Sequence, residues 1–185
     1  MHIHFLDPYQ ARSSPIHRLD ARVKLVLALA FILTSALVPP GAWSVLILLL
    51  AGVWSAAVLA YLDPGYLIKR AFLALPFVLA ALPLLLTVPG EAVLPFQIAS
   101  FQGAVTGPGL ERFISISLKS WISIQAAILL TATTSFPNLL QAMRAIRIPR
   151  LLVAVVGLMW RYLFVLADEA LRLARAREAR SAGGS

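Results

Sequence analysis

Four stretches of this 185-residue chain are apolar over the roughly 17–25 residues that a helix needs to cross a bilayer core about 30 Å thick. They run from Ala21 to Val38, Trp43 to Tyr61, Ala71 to Val88 and Phe113 to Thr134, and none holds an Asp or Glu within it. Lipid offers backbone groups no hydrogen-bond partner, so segments of this kind must satisfy their own and become helices. Composition agrees: 60% of the residues are apolar and 13% charged, where a water-soluble domain has about 45–50% and 25%. Disorder and an ordinary soluble enzyme are excluded.

Punctuation bounds the runs. Asp20 suits the N-cap of the first, Pro39-Pro40-Gly41 stops it, and Asp63-Pro64-Gly65 closes the second. With 20 residues before it and three more apolar runs after it, the first run is a poor signal peptide and is expected to be a retained helix. Pro76 and Pro83 each remove a backbone hydrogen bond from the third run and are expected to bend it, a packing feature common in membrane helices. Pro89 to Arg112 carries Gly90, Pro95, Gly103, Gly107, Pro108 and Gly109, which predicts an irregular connection with a short hairpin around Gln97 to Val105.

The net charge of +8 is concentrated at the ends. Arg12, Arg18, Arg22 and Lys24 precede or open the first run, Lys69 and Arg70 lie between the second and third, and Arg144, Arg147 and Arg150 follow the fourth. The opposite connections hold only Arg112, so the positive-inside rule places the N-terminus in the cytoplasm of a multi-pass protein of the inner (plasma) membrane. Lys119 is expected to snorkel to the outer interface.

After Ser135 the pattern changes. Leu139, Met143 and Ile146 share one side of a helix over Pro137 to Ile148, with Asn138, Gln141 and Arg144 largely opposite, as for a helix at the membrane interface. Pro149 then opens a longer helix to about Arg180. Residues 151–167 are long enough for a fifth pass, but that pass would put Arg161 in mid-bilayer at roughly 2.5–3.5 kcal/mol and the terminal arginines outside. The favoured reading is a helix leaning on the cytoplasmic side of the bundle with its tip in water. Arg172, Arg175, Arg177, Glu178 and Arg180 surround that tip, whereas a helix lying on lipid would segregate its charges. The tip therefore suits a polar groove on another protein, against the plainer reading of a solvated helix end with pairs such as Asp168 to Arg172.

Most catalytic chemistry is missing. There is no phosphate-binding GxxxxGK[ST] loop, HExxH or GxSxG, and no Cys. His2 and His4 form an H-x-H pair that could meet a metal in an extended N-terminus, but two imidazoles make an incomplete site and an exposed segment is the favoured reading; the spans lack the carboxylates or His of ion-coupled transport. No catalytic residue, metal ligand or cofactor is expected.

The stretch Ser13 to Ala30, SSPIHRLDARVKLVLALA, and the stretch Thr131 to Gly183, with its RYLFVL run and AREAR tip, resemble the transmembrane T component of energy-coupling factor (ECF) transporters, most closely its cobalt-type, CbiQ-like branch. The resemblance covers nearly the whole chain. It implies an all-α integral membrane protein: an arm and four transmembrane helices over 1–135, then a short interfacial helix and one long cytoplasmic coupling helix over 136–185. It also implies partners, namely ABC-type ATPase subunits and a substrate-binding S component, with cobalt or another transition metal as cargo. In such proteins an Ala-Arg motif docks into an acidic groove of an ATPase. Ala179-Arg180-Ser181 matches it, supported by Arg161, Glu169, Arg172, Arg175 and Arg177 along the same helix. Arginine suits the task because its planar, permanent charge grips carboxylates in bidentate fashion. The family pattern continues into a second coupling helix, a second Ala-Arg motif and a last membrane helix, whereas this sequence ends at Gly183-Gly184-Ser185 and is expected to be a fragment, a truncated product or a half-coupler.

The competing class is a membrane-anchored protein whose basic helix binds anionic lipid or nucleic acid. Glu178 and the lack of interleaved aromatics at the tip weigh against nucleic acid. An intramembrane enzyme lacks any paired catalytic groups in the spans.

Overall fold

The computed structural model describes residues 9–10, 12–98 and 101–181. The first two apolar runs become α2 (Ala21–Leu37) and α3 (Trp43–Leu59), preceded by a single turn, α1 (Pro15–Arg18). Asp20 caps α2 as the sequence predicts, its Oδ1 accepting from Arg22 N at 3.0 Å.

The third segment begins earlier than expected. Asp63-Pro64-Gly65 does not merely end α3; Asp63 accepts from Gly65 N and Pro64 takes the first helical position, so α4 (Pro64–Ala71) starts there and carries Lys69 and Arg70 in its last turn. A 3₁₀ turn (Phe72–Ala74), α5 (Leu75–Ala81) and α6 (Leu84–Thr87) continue it. Both prolines act as expected: the Phe72 and Leu79 carbonyls that Pro76 and Pro83 leave unpaired accept instead from Leu75 N and Leu82 N, one residue earlier.

The chain is dominated by helix, as expected, and the predicted hairpin is present. The connection after α6 forms a two-stranded antiparallel hairpin, β1 (Ala92–Ile98) and β2 (Phe101–Thr106), with Phe96 opposite Gly103, longer than the hairpin predicted for residues 97–105. Thr106 then caps α7 (Gly107–Thr133), its Oγ1 accepting from Gly109 N at 3.2 Å, so Gly107, Pro108 and Gly109 belong to the helix rather than to the loop. The segment after Ser135 forms α8 (Phe136–Ala145), and the long helix is α9 (Arg150–Ser181), about 48 Å from end to end.

By length and composition three helical segments suffice to cross a membrane: Pro64–Thr87, Gly107–Thr133 and Arg150–Arg180. The 17-residue α2 and α3 are each about 25 Å long.

α7 is the axis of the bundle and touches α2 through α6. Ile122 and Ala126 of α7 bury against Val38, Leu46, Leu49 and Val53. Small residues at Ala57, Ala60, Ala71, Ala74 and Ala132 let the backbones approach closely, the usual solution where lipid removes the hydrophobic drive between helices. The outside is as apolar as the inside: Leu37, Leu48, Leu73 and Leu151 are each at least 70% exposed, which suits lipid and not water.

Candidate functional site

The connections sort into two ends. At one end Gln10 N donates to Ala132 O at 3.0 Å, Arg12 donates to Tyr61 O, and Ala60, Leu62 and Ala132 bury together. That end gathers the N-terminal arm, the α3–α4 turn and the α7–α8 junction, with which most of the basic residues lie. At the other end Gly41 N meets Ser115 Oγ at 3.3 Å and Thr106 Oγ1 donates to Val88 O at 2.8 Å.

Two lysines tie these ends reciprocally. Lys24, buried in the first turns of α2, donates to Thr133 O at 2.9 Å, the last residue of α7, and to His17 O at 3.2 Å. Lys119 of α7 donates to Val38 O and, at 3.4 Å, to Ala36 O, at the C-terminal end of α2. Each cation thus meets the negative end of the other helix, where carbonyls have no intrahelical partner.

His17 completes the basic end. Its Nε2–H donates to Gln10 O at 3.0 Å, which leaves Nδ1 to accept from Ser14 Oγ at 2.7 Å, and the ring meets Tyr9 edge-on. Burial holds its pKa below the ordinary value; the bond to Gln10 O opposes this, while Lys24 and Arg12 reinforce it. A neutral ring fits a place crowded with cations.

From this end the contact continues into α9. Phe136, the first residue of α8, stacks on Trp160 with ring centroids 4.0 Å apart and planes 16° from parallel, and Trp160 meets Phe164 edge-on at 4.9 Å. Gly157 lets Leu140 pack close, 3.4 Å from where a Cβ would stand, and Val153 is fully buried. Arg147 adopts a left-handed conformation (φ 65°) that ends α8, with Ile148 N donating to Met143 O, and so sets the angle at which α9 departs.

Beyond Trp160 the helix is almost wholly exposed. Of the residues the sequence assigns to docking, Ala179 and Arg180 are exposed, and Ser181 ends the helix with its side chain outside the described set. Arg161 and Arg177 are exposed with no partner among the described residues. Of the internal pairs that the plainer reading allowed, Arg172 pairs with Glu169 rather than Asp168, its Nη2 meeting Glu169 Oε1 at 2.8 Å, three residues back. Arg175 Nε folds back on Leu171 O at 3.2 Å. The tip residues are brought onto one rod but not into one cluster.

The described residues contain no group of three or more His, Cys, Asp or Glu able to hold a metal, and His2 and His4 lie outside them. Ser14, His17, Lys24, Phe136 and Trp160 are the residues that sequence reasoning missed. Their one signal was a lone Lys inside an apolar run, and its charge alone did not reveal a partner 109 residues away.

The family model for CbiQ, described as a cobalt transport protein, matches residues 12–183. A protein of Methanocorpusculum labreanum, described as a fused cobalt transport protein CbiMQ, is 28% identical over 189 residues, 98% of this chain and 31% of that one. The cobalt transport protein CbiQ of Rhodobacter capsulatus is 28% identical over 157 residues, 85% of this chain and 60% of that one. That of Salmonella typhimurium is 26% identical over 171 residues, 85% and 71% respectively. The chain therefore spans less than two thirds of the first two relatives. With its apolar helices and a family match over nearly its full length, it is an integral membrane protein and belongs to the CbiQ cobalt transport protein family.

Proposed function

We propose that the chain is the transmembrane coupling subunit of an ECF-type ABC importer for cobalt or another transition metal. In this reading α2, α3, the α4–α6 segment and α7 are the four membrane passes, the basic end faces the cytoplasm, and α9 is a coupling helix rather than a fifth pass. ATP-driven closure of the ATPase subunits pushes the tip of α9. The Phe136–Trp160 stack passes the push to the α7–α8 junction, and the lysine ties pass it to α2 and on to a substrate-binding S component.

One observation carries the proposal: a 32-residue helix anchored to the bundle near its base and bare at an arginine-studded tip. An exposed rod has leverage only if something grips its end, and a ring of arginines grips carboxylates well. The chain itself supplies no chemistry; it moves because its partners hydrolyse ATP.

The test is co-purification with the ATPase subunits and ATP-driven metal uptake by Arg180→Glu and Arg180→Lys. Charge reversal abolishes association and uptake, and the Lys variant retains part of both because it keeps the charge but loses the fork. Undiminished uptake by Arg180→Glu overturns the docking role.

A further inference from the structure

A groove of about 660 Å³ runs between α4 with its 3₁₀ extension and the second half of α7. Its size falls within the roughly 300–1,000 Å³ typical of small-molecule sites. Lys69 and Arg70 stand at its polar end, and Phe72, Leu73, Ile124 and Ala127 line its apolar part. Along α7 it extends from Thr131 to Ile124, about 10 Å.

Three features restrict what fits. No carboxylate lines the groove, and no ion pair of Lys69 or Arg70 is found among the described residues, so two cations are left unmatched. Arg70 is held with its guanidinium carbon 4.6 Å above the Tyr66 ring, which fixes the charge in place. Phe72 and Leu73 are 65% and 71% exposed on a helix of membrane-spanning length, so the groove opens sideways toward lipid. The cavity beside Lys24 differs: it measures about 200 Å³, and its cation is already engaged by two carbonyls.

We propose that this groove holds one anionic phospholipid, with its phosphate on Lys69 and Arg70 and an acyl chain along Ile124, Ala127 and Leu73. A neutral lipid satisfies the walls but not the charges. A free anion satisfies the charges and leaves the apolar channel open to other chains, and a partner's apolar helix fits the walls and leaves both cations unmatched.

The full chain is purified in mild detergent, exchanged against equimolar phosphatidylglycerol and phosphatidylcholine with identical chains, and read by native mass spectrometry. Wild type retains phosphatidylglycerol selectively. The double variant Lys69→Gln/Arg70→Gln loses that selectivity by about 25-fold, from about fivefold per basic side chain near an anionic surface, and high salt weakens it in wild type. Because the protein has no Cys, Ala127→Cys modified with a bulky maleimide blocks the channel alone and reduces retention of both lipids. Both variants are checked for unchanged melting.

Equal retention of the two lipids by wild type, or full selectivity in the double variant, overturns the proposal. So does inorganic phosphate displacing the lipid's preference at millimolar concentration, which would mean a head-group site only. Cross-linking of the thiol of the Ala127→Cys variant to a partner's helix in native membranes also overturns it, since the groove would then be a protein interface.

Discussion

At the scale of single residues, Lys24 shows how a charge inside an apolar segment is tolerated. Its ammonium donates to two carbonyls, of which Thr133 O belongs to the last turn of α7, so one side chain satisfies a helix end that lipid would leave unbonded. Replacing Lys24 with Met keeps the length and removes both bonds. Hydrogen bonds to charged groups contribute about 1.5–3 kcal/mol, and a protein of this size shifts its melting midpoint by about 2–4 °C per kcal/mol. The expected result is a midpoint in detergent lowered by several degrees, with Lys24→Arg losing less. An unchanged midpoint would show that these carbonyls need no partner. Lys119 offers the matching control at the opposite end, because it ties the C-terminus of α2 in the same way.

At the scale of elements, the junction of α7, α8 and α9 determines whether the long helix is a lever or a loose appendage. Phe136 and Trp160 stack face to face across that junction. Aromatic pairs contribute roughly 0.5–1.5 kcal/mol beyond their burial, so a double-mutant cycle of Phe136→Leu and Trp160→Leu should give a coupling of about 1 kcal/mol in melting experiments. If the stack relays motion, either single variant also lowers uptake while leaving the ATPases bound. A coupling near zero would mean that α9 is held elsewhere.

The elements also show what a sequence displays and what it hides. The apolar cores of α2, α3, α7 and the third segment, the Asp20 cap and the breaks in helical bonding at both prolines were legible, because length, a cap and a missing N–H are local properties. The starts of α4 and α7 were not. Asp63-Pro64-Gly65 and Thr106-Gly107-Pro108 contain turn residues, yet each also provides a capping side chain followed by a proline in the first helical turn, and the helix won. The docking role proposed for 179–181 rests on family resemblance, because nothing local in those residues points to a partner. The lysine ties and the Phe136–Trp160 stack join residues far apart in the chain, and no local pattern encodes them.

At the scale of the whole molecule, the arm, the α3–α4 turn and the base of α9 share one end of the bundle, and most of the basic residues lie with it. The account depends on that end facing the ATPases, with α9 reaching them across water. Absence of Cys makes this directly measurable: Ala179→Cys places a single thiol beside Arg180, at the exposed tip. In intact cells that thiol should resist an impermeant maleimide added outside. In inverted membrane vesicles it should cross-link to an ATPase subunit bearing a Cys in its acidic groove, with a yield that changes when ATP is added. Labelling from outside, or the absence of any cross-link in an assembled and active transporter, would contradict the claim that α9 is the coupling rod.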